Sequence, residues 1–525
     1  MPDASGAVDA VDAGQSANQP TDRIDGGIAD ETVGKRDMRK TTGSAVRSGM
    51  AWTLGGQWAG YAVQIVSTAV LARLISPSDF GLFGEALTVT AFATQLQSLG
   101  LSQAVIQRAK LTHGQMSNLF WVNVAAGALL TVLVAAAAPA VAVFYHKPAL
   151  AAVTAVVSVT FLIYGFAVQH SALMARRMKF RAIALRSLTP RIIGAVAAVV
   201  AAAAFNAGYW ALAVQQIVAA VCSTIFVWTA IDWRPGRPKR GTGVRPLLRF
   251  GAGVSVANLF YYFSSNADNI LVGRFLGTGP LGLYSRAYNL FLVPLRQIHG
   301  PMGNVVQPVM SAIYGEPERY RQFYRRTLSG ITVVGMPGVV FLAVMSRRVI
   351  EVLLGQRWIG ASDAFRWLAV AGFLQMVMRT FGWLFTTSGR SRAMATWAAV
   401  TTPITVLAFV CGLHWGISGV AAAYAISQLA FVLPGIWWSQ RGTPITFGDV
   451  WLSVWRPIAL SAVVGAVTIV VRQVVGAFDG AASVVVLGAA GIAAVACWGL
   501  MVYFWPELRR ELLALRGTIG RRPAK

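Results

Sequence analysis

Four polar residues, Gln57, Tyr61, Gln64 and Thr68, follow Thr53 at intervals of three and four through an otherwise apolar stretch. At 3.6 residues per turn they fall on one helix face. Asn258, Tyr262, Ser265 and Asn269 repeat the spacing 201 residues later, with Asp268 beside the last of them. Such polar residues in a span must either hydrogen-bond a neighbouring helix or face a wet cavity. Glu85, Thr88 and Gln95 align at the same offset with Arg286, Asn289 and Arg296. A guanidinium grips phosphate or carboxylate oxygens through paired N–H donors. Glu85 and Arg286 occupy equivalent positions and are expected to approach each other as an ion pair. Arg296 is therefore the freer cation for an anionic ligand, with Arg379 and, nearer a helix end, Arg366 as further candidates. Asp268 is a second candidate for an ion pair or an ion site. Metal and nucleophile chemistry find no footing. Cys222, Cys411 and Cys497 stand singly in apolar runs, the five histidines are scattered, and no metal-ligand spacing, P-loop or nucleophile elbow occurs. No cofactor is implied.

The elements that carry these residues are apolar blocks of about 20 residues, the length that crosses a bilayer. Of the 525 residues, 56% are hydrophobic and 12% are charged, roughly half the charge of a soluble protein. The blocks do not alternate as barrel strands would, so backbone satisfaction within hydrocarbon requires helices. The expected fold is an all-α polytopic membrane protein of about fourteen spans: two six-helix bundles related by a parallel pseudo-twofold, plus two C-terminal helices. The key polar stripes fall in spans 48–73, 80–104, 250–274, 281–312 and 361–387. The organisation read from this is a polar tail (1–45), a first bundle (46–231), a basic linker (232–249), a second bundle (250–438), two added helices (439–505) and a basic tail (506–525). The net charge of +25 does not signal nucleic acid, because Lys and Arg gather at alternate span ends. The cluster Lys35, Arg36, Arg39, Lys40 and Arg47 precedes the first span, and both tails are placed in the cytoplasm on this basis. Arg347, Arg348 and Arg357, in one outer connection, run against the bias. The C-terminal arginines are expected to lie along anionic lipid.

The halves match each other directly. "ARLISPSDFGLF" (72–83) resembles "GRFLGTGPLGLY" (273–284), pairing Arg73 with Arg274, Gly81 with Gly282 and Leu82 with Leu283. Six spans separate the copies, so both run the same way through the bilayer. Parallel repeats of this kind surround a central substrate path in many transporters. A polar stripe in a span must face a neighbour or a wet cavity, and two equivalent stripes point to a shared cavity. The inferred cavity residues are Gln57, Tyr61, Gln64, Asn258, Tyr262, Asn269, Arg286, Arg296 and Arg379.

The segments "RSGMAWTLGGQWAGYAVQIVSTAVLARLISPSDFGLFGEA", "LQSLGLSQAVIQR" and "NADNILVGRFLGTGPLGLYSRAYNLFLVPL" resemble the Wzx/TuaB-type polysaccharide exporters of the multidrug/oligosaccharidyl-lipid/polysaccharide superfamily. The resemblance covers about residues 45 to 505. It implies a bacterial inner-membrane flippase that carries undecaprenyl-diphosphate-linked oligosaccharide to the periplasmic leaflet by alternating access, for exopolysaccharide or lipopolysaccharide synthesis. Its partners would be that lipid-linked substrate, membrane lipids, and a polysaccharide polymerase with its export machinery. The resemblance transfers no ligand motif, so the cavity arginines rest on this sequence alone. Two other classes stay open: an ion-coupled drug or metabolite antiporter using Asp268, and a membrane-embedded polysaccharide polymerase. The latter lacks the large outer loop or catalytic domain that such enzymes carry.

Overall fold

The computed structural model describes residues 38–97, 112–177, 179–238, 266–477, 482–507 and 509. Asn258 and Tyr262 lie outside them, as does the side chain of Arg296. Met1–Ala51 and Trp52–Lys525 are two separate compact units, and the helical bundle belongs to the second. No strand occurs among the described residues.

The first group of helices comprises α1 (Met38–Leu74), α2 (Pro77–Gln97), α3 (His113–Tyr145), α4 (Ala149–Arg176), α5 (Phe180–Phe205) and α6 (Tyr209–Ala230). The second comprises α7 (266–276), α8 (Thr278–Ala312), α9 (Pro317–Val344), α10 (Ser346–Leu354), α11 (Ser362–Met378), α12 (Phe381–Thr387), α13 (Ser391–Gly412) and α14 (Gly416–Gln440). Two more follow, α15 (Phe447–Gly476) and α16 (Ser483–Phe504). Nine helical stretches among the described residues are long and apolar enough to cross a membrane, and the chain is a multi-pass membrane protein.

Local chemistry sets the ends. Thr112 caps α3 by accepting from the Gln115 amide at 3.2 Å, and Gln115 returns the bond to the Thr112 amide. Thr446 and Asp449 form the same reciprocal box on α15. Each box satisfies two donors that the first helical turn leaves orphaned. His146 and Asn206 close α3 and α5 in the left-handed conformation.

Exposed apolar side chains such as Val132, Val143, Leu429, Leu433, Val470 and Ile492 form an outer surface suited to hydrocarbon rather than water. Inside, one continuous core runs from α1 and α2 through α8 to α16. The last two helices dock on α9. Arg321 donates to Asp449 at 3.1 Å near one end, Arg472 donates to the Val344 carbonyl at 3.1 Å near the other, and Val333, Leu460, Val464 and Ala494 pack between.

The connections fall at two ends. Arg176, Arg177, Lys179, Arg234, Arg321, Arg325, Arg390 and Arg441 mark the basic end. At the other end, α2 and α8 cross with their backbones touching. A Cβ on Gly81 would stand 1.7 Å from the Thr278 carbonyl oxygen, and one on Gly282 would stand 1.9 Å from that of Pro77. Only glycine permits this approach. The contact is reciprocal, since Thr278 and Gly282 are the offset-201 counterparts of Pro77 and Gly81.

Caps from both groups of helices complete this end. Trp358, fully buried, donates Nε1–H to the Ala72 carbonyl at 2.8 Å and stands edge-on to Phe80. Arg73 donates to the Val352 carbonyl at 3.1 Å. Tyr145 lies against Gly273, where an added Cβ would be 3.0 Å from its ring. This is the sealed end.

Candidate functional site

Directly beneath the seal is a polar cavity of about 650 Å3. α2 contributes Gly84, Leu87, Thr88 and Ala91; α7 contributes Asp268 and Asn269 after Asn266. α8 supplies Ser285, Arg286, Tyr288 and Asn289, α11 supplies Gln375 and Arg379, and α13 and α14 supply Thr405, Phe409, Tyr424 and Gln428.

The two arginines are held differently. Arg379 donates through Nε and Nη2 to Gln375 Oε1 at 3.2 and 3.1 Å, and Gln375 in turn donates to the Tyr424 hydroxyl. Its side chain is exposed to the cavity and has no carboxylate partner among the described residues. Arg286 lies with Cζ 4.8 Å from the Phe80 ring centroid, and its Nε is buried without a hydrogen-bond partner. The aromatic face supports the cation and leaves guanidinium donors unused.

Asp268 is buried in the wall. It accepts from the Tyr284 hydroxyl at 3.0 Å and from the Asn269 backbone and side-chain nitrogens at 2.8 and 3.3 Å. Among the ionisable lining residues, two cations therefore stand against one carboxylate. That balance suits an anionic ligand flanked by hydrogen-bonding groups.

The structure brings together Asn269, Arg286, Arg379 and Asp268. Gln57, Tyr61 and Gln64 do not line this cavity. They sit on a flank of α1 distinct from its lipid-suited face: Gln57 and Gln64 are exposed and Tyr61 is half-buried.

The expected Glu85–Arg286 ion pair is not formed. Both Glu85 carboxylate oxygens are buried without a hydrogen-bond partner, and its Cγ lies by Gly273 and Tyr145. Arg286 turns instead onto Phe80. The two residues are each one turn past the crossing glycines, but their side chains turn to different neighbours, Glu85 toward Gly273 and Arg286 toward Phe80. Arg366 is likewise no cavity residue, because it pairs with Asp363 at 3.6 Å with both side chains exposed.

Sequence reasoning missed Gln375, Tyr424 and Gln428, which spread over helices with no matching stripe.

A model of the family described as "Polysaccharide biosynthesis protein" matches residues 70–363, more than half of the chain. The chain belongs to this family. The lipopolysaccharide biosynthesis protein WzxC of Escherichia coli (strain K12) is 26% identical over 423 residues, which is 78% of this chain and 85% of WzxC. The teichuronic acid biosynthesis protein TuaB of Bacillus subtilis (strain 168) is 25% identical over 471 residues, 89% of this chain and 97% of TuaB. The succinoglycan biosynthesis transport protein ExoT of Rhizobium meliloti (strain 1021) is 24% identical and covers 70% of this chain and 74% of its own length.

Among solved structures, the lipid II flippase MurJ in its inward closed conformation superposes with a TM-score of 0.65 at 12% identity, covering 85% of this chain and 98% of MurJ. A multidrug resistance MATE transporter in an inward-facing conformation scores 0.59 at 16% identity, covering 73% and 94%. Both place this member of the polysaccharide biosynthesis family in the fold of the superfamily that its sequence resembles.

Proposed function

We propose that this protein is a flippase that carries an undecaprenyl-diphosphate-linked oligosaccharide from the cytoplasmic to the outer leaflet of the bacterial inner membrane. The observation that carries the reading is the pair of guanidinium groups, Arg286 and Arg379, in a polar cavity sealed at one end and enclosed by membrane helices. A diphosphate headgroup cannot cross hydrocarbon unaided, and these arginines offer the paired donors that it needs. Asn269, Asn289, Gln428 and Tyr288 surround them with groups fit for the sugars next to the diphosphate. The names of WzxC, TuaB, ExoT and MurJ support the same substrate class.

The basic end is cytoplasmic under the positive-inside bias, so both tails lie inside and the sealed end faces out. The state is then inward-facing, in keeping with the conformations of MurJ and the MATE protein. The reciprocal Gly81–Thr278 and Gly282–Pro77 contacts are the pattern that a twofold relation between two bundles produces. Residues 46–231 and 250–438 would be those bundles, with 232–249 linking them. Rocking about this crossing would open the outer side. A polymerase with its export machinery would take up the delivered unit.

The test is deletion of the gene followed by extraction of lipid-linked oligosaccharides. Complete repeat units should accumulate in the inner leaflet while exported polymer is lost, and normal polymer would overturn the proposal. An ion-coupled antiporter is the second reading, favoured by the buried, hydrogen-bonded Asp268. It expects Asp268→Asn to abolish drug resistance and leave polymer intact.

A further inference from the structure

α5 packs through a line of small residues. Ala184, Ala195, Ala198 and Ala202 are buried, and at about 100° per residue they share one face. Arg191 stands on the same line, one heptad from Ala184 and one from Ala198, yet its side chain is exposed. The apolar side chains suited to lipid, Leu185, Ile192, Val196 and Val200, project from a different flank. Arg191 therefore looks into a gap in the packing and not out to hydrocarbon.

α1 forms the other wall of that gap. A Cβ on Gly56 would lie 2.9 Å from the Ala184 Cβ, and a Cβ on Gly60 would lie 2.7 Å from Arg191 Nη1. The guanidinium rests on the bare backbone of Gly60. Gln57 and Gln64 lie about 40–60° to one side of Gly60 around α1, whereas the exposed Trp52, Val66, Val70 and Leu74 lie about 40–120° to the other. The polar flank of α1 thus borders the same gap.

Arg191 is eleven residues beyond Phe180 in chain order, about 16 Å along the helix axis, which is mid-bilayer for a hydrocarbon core of about 30 Å. It makes no ion pair or hydrogen bond among the described residues. An unpaired arginine at that depth is costly and marks function by default.

We propose that Arg191, seated on Gly60 and flanked by Gln57 and Gln64, is a second diphosphate station, on the first bundle. Arg286 and Arg379 serve the second bundle, so the headgroup has a cation to hold on each side as the bundles rock. This rests on the flippase reading and adds to it a residue on the first bundle.

The experiment titrates purified full-length protein in detergent with undecaprenyl diphosphate, with undecaprenol as the uncharged control, by native mass spectrometry. Arg191→Gln should weaken undecaprenyl diphosphate binding tenfold or more and leave undecaprenol unchanged, while Arg191→Lys should lose less. Gly60→Ala keeps the cation but pushes its flexible end off the seat, and should weaken binding several-fold. Unaltered melting temperatures show that the variants are folded. If Arg191→Gln does not fold, Arg191→Lys and Gly60→Ala decide the question.

Wild-type affinity in all folded variants would overturn this station and leave the flippase reading standing. Wild-type protein that binds the diphosphate no better than undecaprenol would overturn both. Inorganic pyrophosphate binding as tightly as the lipid would overturn the lipid headgroup as the occupant.

Discussion

At the residue scale the cavity depends on how its cations are held. Gln375 fixes the Arg379 guanidinium from one side and is itself fixed by Tyr424, so the remaining N–H groups point at a ligand from a set position. Arg379→Gln is expected to lower polymer export at least tenfold, about 1.4 kcal/mol of lost anion binding. Arg379→Lys, which keeps the charge but loses the planar fork, should fall between. Gln375→Ala should cost less than Arg379→Gln, because it loosens the cation without removing it. Export measured in a deletion strain complemented by each variant gives this ranking, and equal losses for all three would contradict the positioning role. These residues also show what a sequence can convey. An intramembrane Asp, Asn or Arg is conspicuous against apolar neighbours, so Asp268, Asn269, Arg286 and Arg379 stand out and meet in one cavity. Gln375 and Tyr424 are polar too, but no matching stripe in the other half marks them. The mistaken Glu85–Arg286 pair came from treating equal offset as contact, whereas contact also needs side chains that turn toward each other.

At the element scale the crossing of α2 and α8 is the controlling contact. The same two carbonyls, Thr278 and Pro77, face the two glycines, so the two sites are chemically matched. Gly81→Ala and Gly282→Ala are each expected to push the helices apart and raise the accessibility of the sealed end, to similar degrees. The double variant should add little, because the first methyl already separates the pair. A cysteine at Ser285, buried in the cavity wall just beneath the crossing, in a background without Cys222, Cys411 and Cys497, reports this as its labelling rate from the sealed side with a membrane-impermeant maleimide. Unchanged labelling would show that the crossing is not the seal. Trp358→Ala should act on the same end by another route. It empties a fully buried site and orphans the Ala72 carbonyl, costing about 3–5 kcal/mol of stability in thermal unfolding. The repeat around "ARLISPSDFGLF" pointed to Gly81 and Gly282 as equivalent positions. That the two helices touch there was not legible, because glycine in a membrane helix serves many ends.

At the scale of the whole molecule the direction of transport follows from which end faces the cytoplasm. The basic end collects Arg176, Arg177, Lys179, Arg234, Arg321 and Arg325, with the linker and both basic flanks in sequence leading to it. The sealed end keeps Arg73, Lys147, Arg347, Arg348 and Arg357, several of them committed to local bonds: Arg73 to Val352, and Arg348 to Glu351 and Ser483. Single-cysteine variants at Lys147 and at the exposed Arg237 test the assignment in the same cysteine-free background. In spheroplasts an impermeant maleimide should label the Lys147 position and spare the Arg237 position until the membrane is lysed. The reverse pattern would place the seal on the cytoplasmic side. The cavity would then load from outside, and the same arginines would describe an importer instead of an exporter.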